Sequence, residues 1–181
     1  MKAILLITVL FVTTTTFAQK KKEVELNLKN AVVIGQMDKP ADRYSIEINL
    51  TELFASHDVK SVASLNLMKL GADSKMLASD SLASQLKAKG FDTYVLVTVR
   101  GYDRRFKVSS VQDDFSTALS RGNLFEIHSM DVVSVSFEFK FFRNGEFVYG
   151  EIVKCGNVSD RESVLKRFRK KVSKRILKEW K

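Results

Sequence analysis

The sequence has little cysteine and little histidine, the residues that most often form disulfides and metal sites. Its 181 residues include one cysteine, Cys155, and two histidines, His57 and His128. One cysteine excludes an internal disulfide, so the hydrophobic core alone must hold the fold together. Neither histidine has a second histidine or a cysteine at ligand spacing, so we expect no metal site. We expect Cys155 to be a small, packed side chain in a strand rather than a reactive thiol.

Glycine-rich phosphate loops and nucleophile motifs are missing as well. Gly35 follows the first predicted strand, yet neither G-x-G-x-x-G nor G-x-x-x-x-G-K begins there, and no G-x-S-x-G occurs. Two aspartate pairs, Asp38 with Asp42 and Asp113 with Asp114, would suit acid–base chemistry. Acidic side chains near a predicted helix start are more typical of a solvated surface. The sequence therefore predicts no catalytic residue and no cofactor.

Long apolar runs are limited to the amino terminus. Residues 3–12 are apolar except for Thr8, with Lys2 before them and four threonines and Phe17-Ala18 after them. This order is typical of a secretory signal peptide, residues 1–18, with cleavage after Ala18. A membrane span needs about 20 apolar residues, so this run is too short. No cysteine follows the cleavage site, so we expect an exported protein, periplasmic or extracellular, with no lipid anchor and no transmembrane segment.

Hydrophobic periodicity predicts alternating strands and helices after a flexible lead at 19–28. The predicted elements are a strand at 31–35, a helix from Pro40 to His57, a strand at 59–67, a helix at 74–89 and a strand at 91–99. Residues 46–50 also alternate like a strand, which is the alternative to the first helix. Pro40 suits a helix start and Gly90 a helix stop. Helical crossovers imply parallel pairing, so this half reads as a βαβαβ core.

The second half combines a long irregular segment with a hairpin. Residues 100–131 contain one predicted short helix, 112–120, with Ser110 as its cap and Gly122 as its end. Residues 132–142 and 147–155 form a predicted antiparallel hairpin around the turn Asn144-Gly145. The expected register places Phe141 opposite Val148, Phe139 opposite Gly150, Phe137 opposite Ile152 and Glu138 opposite Glu151. Residues 29–181 are therefore predicted to form one α/β domain.

The last segment is predicted to be a basic, amphipathic helix. Ser159 and Glu162 have capping-box spacing, and an apolar stripe follows: Val164, Leu165, Phe168, Val172, Ile176 and Trp180. The chain carries a net charge of +9. Residues 160–181 hold ten Lys/Arg against three Asp/Glu, a net of +7. The candidate contact surface for an anionic partner is Arg169, Lys170, Lys174, Arg175 and Lys178; the alternative is a face that is only solvated.

Three phrases of the chain resemble small envelope domains, namely the amino-terminal domain of TolB and the CsgG-related lipoproteins. They are AVVIGQMDKPADRYSIEINLTELFASHDVKSV, LKAKGFDTYVLVTVRG and VSFEFKFFRNGEFVYGEIV. Gly90-Phe91-Asp92 matches the G-[FY]-D that is common before an apolar strand in such proteins. The resemblance implies a binding or assembly role rather than an enzyme. The chain departs from the lipoproteins in lacking the anchor cysteine, so membrane attachment is not carried over.

These observations predict an exported, non-enzymatic binding or assembly module of the cell envelope. Its partner would be an acidic protein or an anionic envelope surface, since export argues against nucleic acid. The alternatives are a structural subunit and an enzyme of unknown reaction with its site in residues 100–131. For an enzyme the candidate residues are Asp103, Arg104, Arg105, Asp113 and Asp114. No oligomeric state follows from the sequence.

Overall fold

The fold is a mixed β-sheet with helices on both of its faces. The computed structural model describes residues 26–68, 74–101, 114–120, 134–158 and 160–181. These residues form the strands β1 (Asn30–Gln36), β2 (Lys60–Ala63), β3 (Thr93–Gly101), β4 (Ser134–Arg143) and β5 (Glu146–Gly156), and the helices α1 (Pro40–Ser56), α2 (Asp80–Ala88), α3 (Phe115–Ser120) and α4 (Arg161–Arg175). The spatial order is β2-β1-β3-β4-β5, with β1 parallel to β2 and β3, and with β4 antiparallel to β3 and β5. The predicted fold class, a βαβαβ parallel core with a hairpin and a C-terminal amphipathic helix, is confirmed.

α1 and α4 pack on one side of the sheet, which we call the first face. α1 begins at Pro40, whose fixed backbone angle suits the first helical turn, and it buries Ile46, Leu50 and Phe54. The helical interpretation of residues 46–50 is therefore confirmed. Phe168 of α4 packs against two β4 rings, at 4.9 and 5.9 Å between centroids. The main residues of this core are Val33, Leu50, Phe54, Val97, Phe137, Phe139, Phe141, Phe168, Val172, Ile176 and Trp180.

α2 and α3 pack on the opposite side, which we call the second face. Its apolar cluster includes Val32, Ile34, Leu77, Leu86, Phe91, Tyr94, Leu96, Phe115 and Phe142. Because β1 and β3 contribute alternate residues to both clusters, they are apolar along their whole length, as expected for strands covered on both faces. The second face also holds an ion pair between neighbouring strands, with Arg100 Nε 2.5 Å from Glu138 Oε2. In the β4–β5 pairing Glu138 lies opposite Ile152, not opposite Glu151 as predicted.

One buried hydroxyl on β3 supports a stability prediction. Thr98 is 4 % exposed, and its Oγ1 has no hydrogen-bond partner within the part of the chain that the structure describes. Thr98→Val should leave the free energy of unfolding unchanged or raise it by up to about 1 kcal/mol, since valine removes an unpaired polar group without changing the shape. Thr93→Val is the matched control, because Thr93 is equally buried but its hydroxyl donates to Asp92 Oδ1 at 2.7 Å. Urea unfolding measures both; a loss in Thr98→Val as large as in Thr93→Val would contradict the prediction.

β2 is shorter than predicted. The predicted strand covers residues 59–67, but β2 ends at Ala63 and Ser64–Asn66 form a 3₁₀ turn. The cause is the carboxylate of Glu47 on α1, which accepts hydrogen bonds from Ser64 Oγ at 2.7 Å and from Leu65 N at 3.0 Å. These two hydrogen bonds hold residues 64 and 65 in the turn, so β2 ends after four residues.

The predicted helix at 74–89 is interrupted. Ser74–Ala78 form a 3₁₀ turn, Ser79 is extended, and α2 then runs from Asp80 to Ala88. The Ser79 hydroxyl donates to the carbonyl of Met76 at 2.7 Å, which closes the first turn before α2 begins. Met76 in the 3₁₀ turn is 55 % exposed. Gly90 follows α2 with φ +82°, and this agrees with its predicted role as the helix stop.

The hairpin forms around the predicted turn, but its predicted register is wrong. Arg143 pairs with Glu146 and Phe142 with Phe147. A bulge then shifts the pairing by one residue, so that Phe141 lies opposite Tyr149, Phe139 opposite Glu151, Phe137 opposite Val153 and Glu138 opposite Ile152. The extra residue is Val148. Because side chains alternate along a strand, the shift turns Tyr149, Glu151, Val153 and Cys155 toward the first face.

The two ends of the described chain lie together. Leu28 N donates to the carbonyl of Trp180 at 2.6 Å, and Leu26 N donates to that of Glu179 at 3.4 Å. Leu26 and Leu28 are buried, so these two leucines of the predicted lead at 19–28 belong to the core. α4 begins at a cap formed by Asp160 and Ser163, one residue later than predicted. The predicted signal peptide, residues 1–18, and most of residues 100–131 lie outside the described residues.

Candidate functional site

α4 divides sharply into a buried stripe and a charged exterior. Five of the six residues of the predicted stripe are buried, and Leu165 is half-buried. Trp180 is fully buried, so it completes the core. The amphipathic character predicted for this helix is therefore confirmed. The charged exterior contains all five residues of the candidate contact surface, but the structure separates them into two groups.

The first group is exposed. Lys170, Lys174 and Lys178 join three further cations to form what we call the basic face: Lys166, Arg167, Lys170, Lys171, Lys174 and Lys178. At about 1.5 Å per residue, the face extends roughly 18 Å along the helix. Acidic residues are absent between Glu162 and Glu179, and within the described residues none of the six side chains forms an ion pair. Leu177, 65 % exposed, adds an apolar contact to this surface.

The second group, Arg169 and Arg175, holds the helix in place. Arg169 Nη1 donates to Asn49 Oδ1 at 2.8 Å and to Glu52 Oε2 at 2.7 Å, which ties α4 to α1. The planar guanidinium suits such forked contacts better than an ammonium does. Arg169 and Arg175 are therefore already bound to side chains of the protein itself, and their part in a contact surface stays a prediction. They orient the helix that displays the lysines.

Arg175 belongs to a group of polar side chains at the end of α4, which we call the carboxylate cluster: Tyr149, Glu151, Arg175, Glu179 and Trp180. Glu151 is 7 % exposed and accepts from Trp180 Nε1 at 2.8 Å, with Arg175 Nε 2.8 Å away. The Tyr149 hydroxyl lies 3.2 Å from oxygens of both Glu151 and Glu179. Arg175 also pairs with Glu179. The cluster fixes the π-helical turn Ile176–Trp180 against β5.

Burial governs protonation in the carboxylate cluster. Desolvation raises the pKa of Glu151, while the hydrogen bond from Trp180 and the charge of Arg175 lower it, with a net increase. Burial and the two nearby carboxylates raise the pKa of Tyr149, so its hydroxyl stays protonated and remains a donor. Sequence reasoning missed this cluster because Glu151 turns inward only after the bulge at Val148. The signal that was present is Trp180, a buried indole that needs an acceptor.

Three of the other predicted candidates have structural roles, namely Cys155, His57 and Asp42. Burial raises the pKa of Cys155 to about 11, so the thiol is neutral at ordinary pH, which confirms a packed side chain. His57 Nε2 lies 2.9 Å from Ser173 Oγ, and within the described ranges no group of His, Cys, Asp and Glu is arranged to hold a metal. Asp42 pairs with Arg161 at 3.1 Å.

Among the residues proposed for an enzyme site, Asp114 is the one that the structure describes. Its carboxylate accepts from Thr117 N at 3.0 Å and from Thr117 Oγ1 at 2.7 Å, and these bonds hold its pKa below the usual value. Asp114 therefore caps α3. Asp103, Arg104, Arg105 and Asp113, together with His128, lie outside the described residues, and an enzymatic function stays a prediction.

Fold and surface together define a small α/β domain that displays a basic helix. No protein-family model matches the chain, and no curated protein is similar enough to count as a relative. Among solved structures it is similar to a PelC dodecamer from Paraburkholderia phytofirmans (13 % identity, 85 % of this chain and 88 % of that one, TM-score 0.44). It is also similar to lipoprotein GNA1162 from Neisseria meningitidis (12 % identity, 84 % and 99 % covered, TM-score 0.44). The resemblance to TolB and CsgG-related proteins stays a prediction.

A helix must be both long and apolar to cross a membrane. Of the helices in the described residues, none combines the length and the apolar character that a bilayer span requires.

Proposed function

We propose that this chain is an exported, non-enzymatic binding module of the cell envelope, which contacts an acidic protein or an anionic envelope surface through the basic face of α4. The observation that supports the proposal is the separation of roles along the helix. Arg169 and Arg175 are bound to carboxylates of the protein itself, whereas Lys170, Lys174 and Lys178 are exposed and have no ion-pair partner in the described part of the chain.

A fixed helix makes such a surface effective. α4 is held by its buried stripe, by Arg169 on α1 and by the carboxylate cluster, so its cations are presented without first ordering the backbone. Preorganisation of this kind lowers the entropic cost of association. The interaction should be electrostatic and therefore weaken with salt, since the Debye length falls from about 10 Å at 0.1 M to about 3 Å at 1 M.

Reversing the charge at Lys170, Lys174 and Lys178 tests the proposal. Lys→Glu at all three positions should weaken binding to envelope fractions, or to vesicles with anionic headgroups, by at least about tenfold at low salt, because each cation near an anionic surface contributes about 1 kcal/mol. Folding should be little affected, since these side chains are exposed. Co-sedimentation at low and moderate salt measures the loss.

The matched control reverses three exposed lysines elsewhere, Lys29, Lys87 and Lys89. Both triple variants have the same net charge, so a general charge effect would weaken them equally. Binding that is the same in both variants, or unchanged in the α4 variant, would contradict a contact through the basic face. Binding lost only in the α4 variant supports it, and a comparison of protein-free vesicles with envelope fractions separates a lipid surface from a protein partner.

A further inference from the structure

The second face of the sheet carries a cleft that the proposed function does not use. It lies between α2, α3 and the turn of the β4–β5 hairpin, and its volume is about 510 Å³. Clefts of roughly 300–1,000 Å³ are typical of small-molecule sites. Since α4 packs on the first face, the cleft and the basic face lie on opposite sides of the sheet.

Aromatic side chains form the apolar wall of this cleft. Phe91, Tyr94 and Phe115 line it and are 9, 5 and 5 % exposed. The rings of Tyr94 and Phe115 lie 4.5 Å apart between centroids, and Phe115 also contacts Phe142 at 5.5 Å. Because these contacts hold the rings in place, an apolar group could pack on them without rearrangement of the wall.

Tyr94 provides a polar group on the wall of the cleft. The residue is only 5 % exposed, and burial raises the pKa of its hydroxyl, which stays protonated and able to donate. Among the described residues, the Tyr94 hydroxyl is not one of the fully buried side-chain groups that lack a hydrogen-bond partner, so it reaches the solvent of the cleft. A molecule in the cleft that offers an acceptor could take the place of that water.

The rim of the cleft is acidic. Of the described residues that line it, Asp80, Asp92 and Asp114 are acidic and Lys87 is the one cation. These four described groups leave a net charge of −2 when all are ionised. Asp80 and Asp114 are exposed at the edge, so a positively charged group at the mouth would meet them while remaining partly hydrated.

We propose that this cleft binds a small organic cation with an aromatic or apolar body. The body packs on Tyr94 and Phe115, and the charged amine lies toward the aspartates at the rim. The three features are complementary to one class of ligand: the wall favours an apolar group, the rim favours positive charge, and the Tyr94 hydroxyl is available as a hydrogen-bond partner. An anionic ligand of the same size would be repelled by the rim.

Three matched probes test the proposal by isothermal titration. 2-Phenylethylamine carries both the ring and the charge, 3-phenylpropionate has the ring with the opposite charge, and ethylamine has the charge without the ring. Phenylethylamine should bind saturably with a dissociation constant in the millimolar range or tighter, as expected for about nine non-hydrogen atoms. The other two probes should each bind at least about tenfold more weakly, since each lacks one of the two complementary features.

Two conservative variants locate the binding. Tyr94→Phe removes only the hydroxyl, and Asp80→Asn removes one rim charge; each should weaken phenylethylamine binding by about threefold or more. The Lys170, Lys174, Lys178 charge-reversal variant should bind phenylethylamine like the wild type, which keeps the test independent of the proposed envelope contact. Equal affinity for phenylethylamine and phenylpropionate, no effect of either variant, or no saturable binding up to about 20 mM would overturn the proposal.

Discussion

Replacing Trp180 by alanine should lower the free energy of unfolding by about 4 kcal/mol, within the range for large-to-small changes at buried aromatic residues. Trp180 is fully buried, and its ring centroid lies 6.2, 5.0 and 5.0 Å from those of Phe54, Phe139 and Phe141. The alanine variant leaves a cavity among these rings. It also removes the indole N–H that donates to Glu151. Urea unfolding with a linear extrapolation measures the loss.

Two matched variants separate the causes of that loss. Trp180→Phe retains most of the ring but no donor, so its expected cost of about 2 kcal/mol reports chiefly on Glu151 losing a hydrogen bond. Leu177→Ala lies in the same turn at an exposed position, and it should change stability by no more than about 0.5 kcal/mol. A Trp180→Ala loss no larger than that of Leu177→Ala would contradict the placement of the indole in the core.

The cost of Trp180→Phe should depend on pH, because the lost hydrogen bond acts mainly on the charged form of Glu151. The folded-state pKa of Glu151 is raised above its usual 4.5 by burial. A raised folded-state pKa means that protonation favours folding: this stability is fully present below the unfolded pKa and is lost as pH rises through the folded pKa. Without the Trp180 donor that pKa rises further. The gap between wild type and Trp180→Phe should therefore widen from about pH 4 to about pH 7, and an equal gap at both would contradict the assignment.

Hydrophobic patterning in the sequence was sufficient to predict the strands and helices that form the core. β1, β3 and β4 were predicted from apolar runs and alternation, and α4 from a stripe that the structure buries. Asn144 and Gly145 were predicted at the hairpin turn and adopt φ +51° and +86°, which these residue types tolerate. The register of the β4–β5 hairpin could not be predicted from the sequence. The bulge at Val148 adds one residue, and no turn residue or proline marks its position. That single residue decides which side of β5 faces the core.

The sequence predicted the helix that carries the candidate site, but not which of its cations are paired within the protein. The run of cations and the apolar stripe define a basic amphipathic helix in the sequence itself. Which cations stay free depends on partners far away in the chain: Arg169 meets Asn49 and Glu52, and Arg175 meets Glu151. The acidic cleft is likewise invisible in sequence, because Asp80, Asp92 and Asp114 come together only when α2 and α3 pack on the sheet.

Gly35 lies near the end of the first strand, and its backbone N–H binds a carboxylate of the protein and not a phosphate. In the sequence it occupies the position of a phosphate-binding loop after a first strand. In the structure its N–H donates to Glu47 Oε1 at 2.9 Å, and a Cβ at this position would lie 3.4 Å from the Glu47 and Arg43 side chains. Gly35 therefore donates to a carboxylate that belongs to the protein, and a Cβ there would make only ordinary van der Waals contacts. Glu47 is fully buried, and it links the ends of the parallel strands β1 and β2.

Replacing Glu47 by alanine should consequently cost about 3–5 kcal/mol of unfolding free energy, the range for removing one partner from a buried charged network. Its carboxylate accepts from Gly35 N, Ser64 Oγ and Leu65 N, and it pairs with Arg43 Nε at 2.9 Å. The alanine variant leaves two backbone N–H groups and a partly buried guanidinium without this acceptor. Urea unfolding measures the cost.

Glu52 provides the control for Glu47, because it is an exposed glutamate on the same helix that pairs with an arginine at 2.7 Å. Glu52→Ala should cost less than about 1 kcal/mol, since exposed ion pairs contribute little. Glu47→Gln should fall between the two alanine variants: the amide keeps one acceptor oxygen, but its NH₂ group cannot accept from the second N–H. Equal losses for Glu47→Ala and Glu52→Ala would mean that the strand ends do not depend on this carboxylate. The early end of β2 would then need another cause.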